Sequence, residues 1–115
     1  MSTLSRAILT LTSVLTGTVS ACRFVTPSGS QAGADANVLG ASRSSGVSGN
    51  AVAVDVMGTA TIESGAAFAV GATLKSDSSG RAITWVTSGA KVALALEAAG
   101  AAGQLVEVLL IQNVA

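Results

Sequence analysis

No histidine occurs anywhere in the sequence, and that absence removes the commonest general base together with every Ser-His or Cys-His pair. Metal binding would fall to carboxylates and a single thiol, Cys22, and neighbouring acids stand at least eight residues apart along the chain. Neither a phosphate-cradling glycine loop with its lysine nor a dinucleotide fingerprint is present. One cysteine forms no internal disulfide, which makes a reducing compartment the default. Tyrosine is missing too, and Phe24, Phe68 and Trp85 are the only large rings. These gaps leave no catalytic residues, no metal ligands and no cofactor site to nominate.

Charge is scarce as well. Charged residues make up 10% of the chain, against roughly 25% in a typical soluble domain. Six basic and six acidic side chains cancel to a net charge of zero. A free monomer is kept soluble by more charge than this, because near-zero net charge promotes association. The balance excludes the basic stripe of a nucleic-acid binder. No apolar run reaches the 18 or so residues of a membrane-spanning helix. What remains is a composition suited to a subunit that neighbours cover.

Half of the chain is hydrophobic, mostly alanine and valine. Burial stabilises by about 25 cal/mol per Å² of apolar area, so small side chains contribute less per residue than Leu or Phe would. Contacts between subunits offset that deficit. At 115 residues the chain has the length of one domain with one core. Residues 7–115 are expected to form a single β domain behind an N-terminal arm, residues 1–6.

Turn formers recur every eight to twelve residues or so, the spacing of an all-β sandwich or barrel. Ala7 to Thr12 alternates aliphatic and hydroxyl side chains, Val19 to Thr26 reads as a second strand, and Asn37 to Ser42 as a short third. Ser44 to Asn50 reads as a loop. Val52, Val54 and Val56 share one face of a strand that resumes from Thr59 to Glu63, and the intervening Gly58 predicts a bulge or bend. Asp77-Ser78-Ser79-Gly80 is a hairpin loop between Ala72–Ser76 and Arg81–Thr87. Lys91 to Glu97 alternates as a strand, although Ala93 to Ala102 also has helix-forming composition. Gln104 to Gln112 reads as a buried strand.

A few residues invite functional readings. Trp85 is either the largest core plug, the preferred reading, or an interface anchor. Lys75 and Arg81 flank the hairpin loop and could meet an acidic partner, or form an exposed charged hairpin end. The acids Asp55, Glu63, Glu97 and Glu107 are expected singly at solvent-facing strand positions or at strand ends rather than as a catalytic pair. Gly46-Val47-Ser48-Gly49 has the outline of a nucleic-acid clamp but only Arg43 beside it, so it reads as a loop. Val19-Ser20-Ala21-Cys22 fits a bacterial lipobox, which would make Cys22 the first residue of an envelope lipoprotein. The stretch ahead of it carries Thr10, Thr12, Ser13, Thr16 and Thr18, polar for a signal, and a β-strand is the preferred reading. Cys22 is then a small buried side chain.

Read in order, these segments resemble a known family. The run Ala51-Val52-Ala53-Val54-Asp55-Val56-Met57-Gly58-Thr59-Ala60 is similar to a segment of the capsid cement, or decoration, proteins of tailed bacteriophages. Glu63-Ser64-Gly65, Ala69 to Ser76, the Asp77 to Ala82 hairpin and Lys91 to Glu97 follow in that family's order. Ala101 to Leu110 resembles its closing strand. The likeness spans Ala7 to Ile111. Gln104 stands where family members often have an acid, and Cys22 lies outside the pattern. The resemblance implies a small β-sandwich or barrel, usually a homotrimer, on the outer surface of the mature head, where it bridges major capsid proteins. It implies no enzyme activity, no cofactor, and no nucleic-acid or membrane partner. Synthesis in the host cytoplasm follows from the same reading. The flexible arm, with Ser2, Thr3, Leu4, Ser5 and Arg6, is expected to reach the capsid, and Trp85, Lys75 and Arg81 are candidates for an interface. Another phage structural role, in a tail or baseplate, is the remaining alternative.

Overall fold

The computed structural model describes residues 7–111, so the expected arm and its candidates Ser2 to Arg6 lie outside the described residues. Eight strands and no helix occur among the described residues. They are β1 (Ala7–Val14), β2 (Phe24–Val25), β3 (Gly40–Ser42), β4 (Ala51–Glu63), β5 (Thr73–Ser76), β6 (Ala82–Thr84), β7 (Ala93–Ala95) and β8 (Leu105–Leu110). The sheet runs β2-β3-β4-β8-β7-β5-β6, with β1 paired to β4 outside that path.

β4 organises the rest. Its even positions Val52, Val54, Val56, Ala60 and Ile62 are buried, as period-two alternation requires when one face meets a core. Gly58 takes φ = 95°, a conformation that glycine adopts without a Cβ penalty. The partners change at this point. Ahead of Gly58 the ladder is with β1, Thr10 opposite Asp55 and Ala7 opposite Gly58. Beyond it β8 takes over, Thr59 opposite Leu109 and Glu63 opposite Leu105. The other edge of β4 holds β3, Ala41 opposite Asp55, and then the Cys22 carbonyl, which accepts the Glu63 N–H at 3.0 Å. The expected single bent strand is what forms.

The hairpin between β5 and β6 forms as expected, and its turn chemistry is explicit. One Asp77 carboxylate oxygen accepts the N–H groups of Ser79 and Arg81 at 2.8 and 2.9 Å, and Gly80 supplies φ = 74°. Such Asp-to-backbone bonds mimic a turn and fix the loop. The hairpin end is docked, not projecting: Gly80 O accepts the Phe24 N–H at 2.8 Å, and Ala82 O accepts the Gly65 N–H at 2.7 Å. These bonds bring β6 back to β2 and to the end of β4, so the sheet is a nearly closed barrel.

Two apolar clusters fill it. One gathers Phe24, Ile62, Phe68, Leu74, Val106 and Val108 with a set of alanines, and the other gathers Leu15, Val19, Val25, Val52, Val54 and Val56. Trp85 belongs to neither; it is half-buried at the surface, so the preferred core reading is corrected.

Three further expectations change. Val19 to Thr26 is not one strand: Val19 makes an isolated bridge to Gly46, and Cys22 sits at φ = 59° in a turn before the two residues of β2. In the Lys91–Glu97 stretch only Ala93–Ala95 is strand, with Ala93 and Ala95 turned inward and Leu96 exposed. Of the four acids, Glu63 stands at a strand end as expected, but Asp55, Glu97 and Glu107 are buried and not solvent-facing.

Candidate binding surface and its charges

Strand pairing brings together charges that are far apart in sequence. Glu63, at the end of β4, receives Arg23 on one carboxylate oxygen at 3.3 Å and Arg81 on the other at 3.4 Å. Arg81 also lies 3.6 Å from Asp77. Arg23 further donates to Ser79 O at 2.9 Å. This network ties β4 to the hairpin loop and to the approach to β2. Asp55 accepts from Arg43 Nε at 2.7 Å and from the Thr10 hydroxyl at 2.8 Å, clamping β1 and the residue after β3 onto β4. Lys75 reaches Asp35 at 2.7 Å and donates to Ser88 O at 3.2 Å. The Lys75 ammonium, with the Ser88 hydroxyl, holds the Asp35 carboxyl below its usual value.

The candidate interface residues are therefore placed as follows. Lys75 and Arg81 are both engaged with acids of their own chain. Trp85 donates its indole N–H to Gly89 O at 2.9 Å, and Lys91 Nζ stands 4.5 Å over its ring, a cation–π arrangement. Val86 beside it is among the most exposed apolar side chains. Long-range ion pairs give no signal in a single sequence, and this is why the paired state of Lys75, Arg81, Glu63 and Asp55 was not legible.

A pocket of about 290 Å³ opens between β3 and β4, lined by Cys22, Ala41, Ser42, Arg43, Asp55 and Thr61. Its polar groups are already in use. Ser42 donates its hydroxyl to Ser20 O at 2.8 Å, and Asp55 is held as described. Burial pushes the Cys22 thiol above its ordinary value, the negative charge of Glu63 adds to this, and Arg23 opposes it. A protonated thiol is a poor nucleophile. We expect Cys22 to alkylate more slowly in the native protein than after unfolding in urea at pH 7.5, as read by mass spectrometry; equal rates would refute the assignment. No group of three His, Cys, Asp or Glu side chains able to hold a metal occurs among the described residues.

Gln104 has a local role. Its side-chain oxygen accepts the Gly100 N–H at 2.8 Å, while its backbone N–H donates to the Ser64 hydroxyl at 3.0 Å. A carboxylate at this position would accept the same Gly100 bond, so the departure from the family pattern preserves the turn.

The chain is thus a small all-β domain, a nearly closed barrel in which most of the described charges pair within the chain and several apolar side chains are left outside. The chain belongs to the phage cement protein family, whose model matches residues 5–110. In shape it is similar to the N base of the head fiber gp8.5 of bacteriophage phi29. The TM-score is 0.74 at 18% sequence identity, over 93% of this chain and 97% of that one. Among curated proteins none matches the chain.

Proposed function

We propose that this chain is a cement protein that binds the exterior of a mature phage head and stabilises it by bridging major capsid proteins. It acts without catalysis or cofactor, as a homotrimer made in the host cytoplasm. The family match over residues 5–110 carries the reading. Three modest contacts on one rigid trimer give avidity, a gain on the order of 10² or more without a single strong site. If the binding sites exist only on the expanded shell, attachment holds that state by mass action.

The N-terminal arm, Met1 to Arg6, is the proposed capsid contact. A short segment of this kind can add a strand to a sheet edge on a partner. Residues 7–115 would remain as the single β domain that the arm tethers.

The lipoprotein alternative requires cleavage ahead of Cys22, which would remove β1 and its seven paired positions along β4. That cost weighs against it, and an intact mass starting at Met1 or Ser2 without lipid would eliminate it.

The test is co-sedimentation with mature heads that lack this chain. Full-length protein is expected to pellet with heads, and imaging to place its density on the head exterior. Protein lacking residues 1–6 is expected to bind about a hundredfold more weakly, since three linked contacts are lost together. Density confined to a tail or baseplate would overturn the proposal.

A further inference from the structure

The outside of the barrel carries a strip of exposed apolar side chains that strand register makes traceable. Leu9 of β1 pairs with Met57 of β4. Two residues along the same strand, Thr59 pairs with Leu109 of β8, and Leu109 pairs in turn with Leu94 of β7. Residues opposite one another in a ladder point to the same face. Leu105, four pairs further along the β8 ladder, and Leu96, just past β7, complete the strip. Leu9, Met57, Leu96, Leu105 and Leu109 are all exposed. Exposed apolar side chains gathered on one face in this way point to an interaction site.

Glu107 lies within the strip, between Leu105 and Leu109 on the same strand face, and it is buried. Its backbone N–H donates to the Glu97 carboxylate at 2.9 Å, and the other Glu97 oxygen is buried without a hydrogen-bond partner. Among the described residues neither glutamate has an ion-pair partner, while Asp35, Asp55, Glu63 and Asp77 each have one. On the cationic side Arg23, Arg43, Lys75 and Arg81 are paired, and exposed Lys91 is the described cation without an acid. Among the described residues, two acids thus lack a cation and one cation lacks an acid.

We propose that the strip on β7 and β8, continued through Met57 and Leu9, is covered by a second copy of this chain, whose Lys91 supplies the cation that Glu107 lacks. Charge complementarity between copies is what selects this occupant: among the described residues, one copy holds acids without a cation, the next a lysine without an acid. The inference rests on reading the chain as a self-assembling subunit and assigns the face used.

The test uses full-length protein in the absence of heads, so that it stands or falls separately from head binding. In sedimentation equilibrium the wild-type chain is expected to be multimeric at tens of micromolar. Leu105→Asp with Leu109→Asp is expected to raise the dissociation constant about a hundredfold, and Lys91→Glu about tenfold, as for a buried and a rim charge respectively. Val47→Asp, at an exposed position off the strip, is expected to leave it unchanged. A monomeric wild type, or a multimer untouched by the double change, overturns the proposal. Should the double variant fail to fold, Leu109→Cys in a Cys22→Ser background gives a second reading. Its alkylation by iodoacetamide is expected to slow as protein concentration rises, and a rate independent of concentration overturns the proposal.

Discussion

Phe24→Ala is expected to lower the unfolding free energy by about 4 kcal/mol, near the top of the range for large-to-small core changes. Phe24 is fully buried, and its cluster explains why the cost sits high. The cluster is rich in alanine: Ala41 is the ladder partner of Phe24, and Ala32, Ala60, Ala82, Ala93 and Ala95 belong to the same cluster. Methyl groups are too short to lean into a vacated ring volume, so the void stays open, and the penalty scales with the void that remains. The Phe24 backbone adds leverage, because its N–H bonds to Gly80 and its carbonyl accepts from Ala32. A domain of this size has a total stability of about 5–15 kcal/mol. Urea unfolding followed by tryptophan fluorescence measures the difference, and a loss below about 1 kcal/mol would contradict this account of the core.

The second large effect is expected at Gly40, and it comes from space instead of volume lost. A Cβ on Gly40 would overlap the carbonyl oxygen of Asp55 and lie 2.8 Å from the carbon of that group and 3.1 Å from a Val54 methyl. The first two are backbone atoms of the central strand and cannot swing aside. β3 would have to lift away from β4, loosening the Ala41–Asp55 and Ser42–Val54 pairs and with them the grip of Arg43 on Asp55. Gly40→Ala is expected to cost about 3 kcal/mol, a fall in melting temperature on the order of 10–20 °C. Gly17→Ala is the control, since nothing lies within 4 Å of its added carbon, and it is expected to stay within about 0.5 kcal/mol of wild type. Equal melting temperatures for the two variants would refute the argument.

Local patterns in the sequence carried much of this fold. Val52, Val54 and Val56 alternate against polar neighbours, and Gly58 interrupts them where the strand changes partners. The Asp77–Gly80 loop declares itself because its turn is built from its own side chain and its own glycine. The failures share a different cause. Cys22 adopts a left-handed backbone that its residue type does not announce, and this broke the expected strand from Val19 to Thr26. In β7 the alternation was correct in period but silent about direction. Ala93 and Ala95 take the interior positions, leaving Leu96 outside. Trp85 reads as a core residue by size alone, yet its indole N–H is satisfied four residues away at the surface. Buried Asp55 was hidden because its partners are dictated by tertiary pairing: it meets Thr10 forty-five residues away. The family resemblance was readable because it rests on the order of many weak local segments, whereas any binding surface depends on contacts between distant ones.

The change of partners at Gly58 has a mechanical consequence. β1 and β8 lie end to end along one edge of β4, so β4 acts as a splint across the break between them. Tension on the chain ahead of Ala7, directed along β1, loads all seven paired positions with β4 in shear at once. Peeling them one after another would need a pull across the sheet. A fastening of this geometry yields least in the direction along which a tether at its amino end would draw.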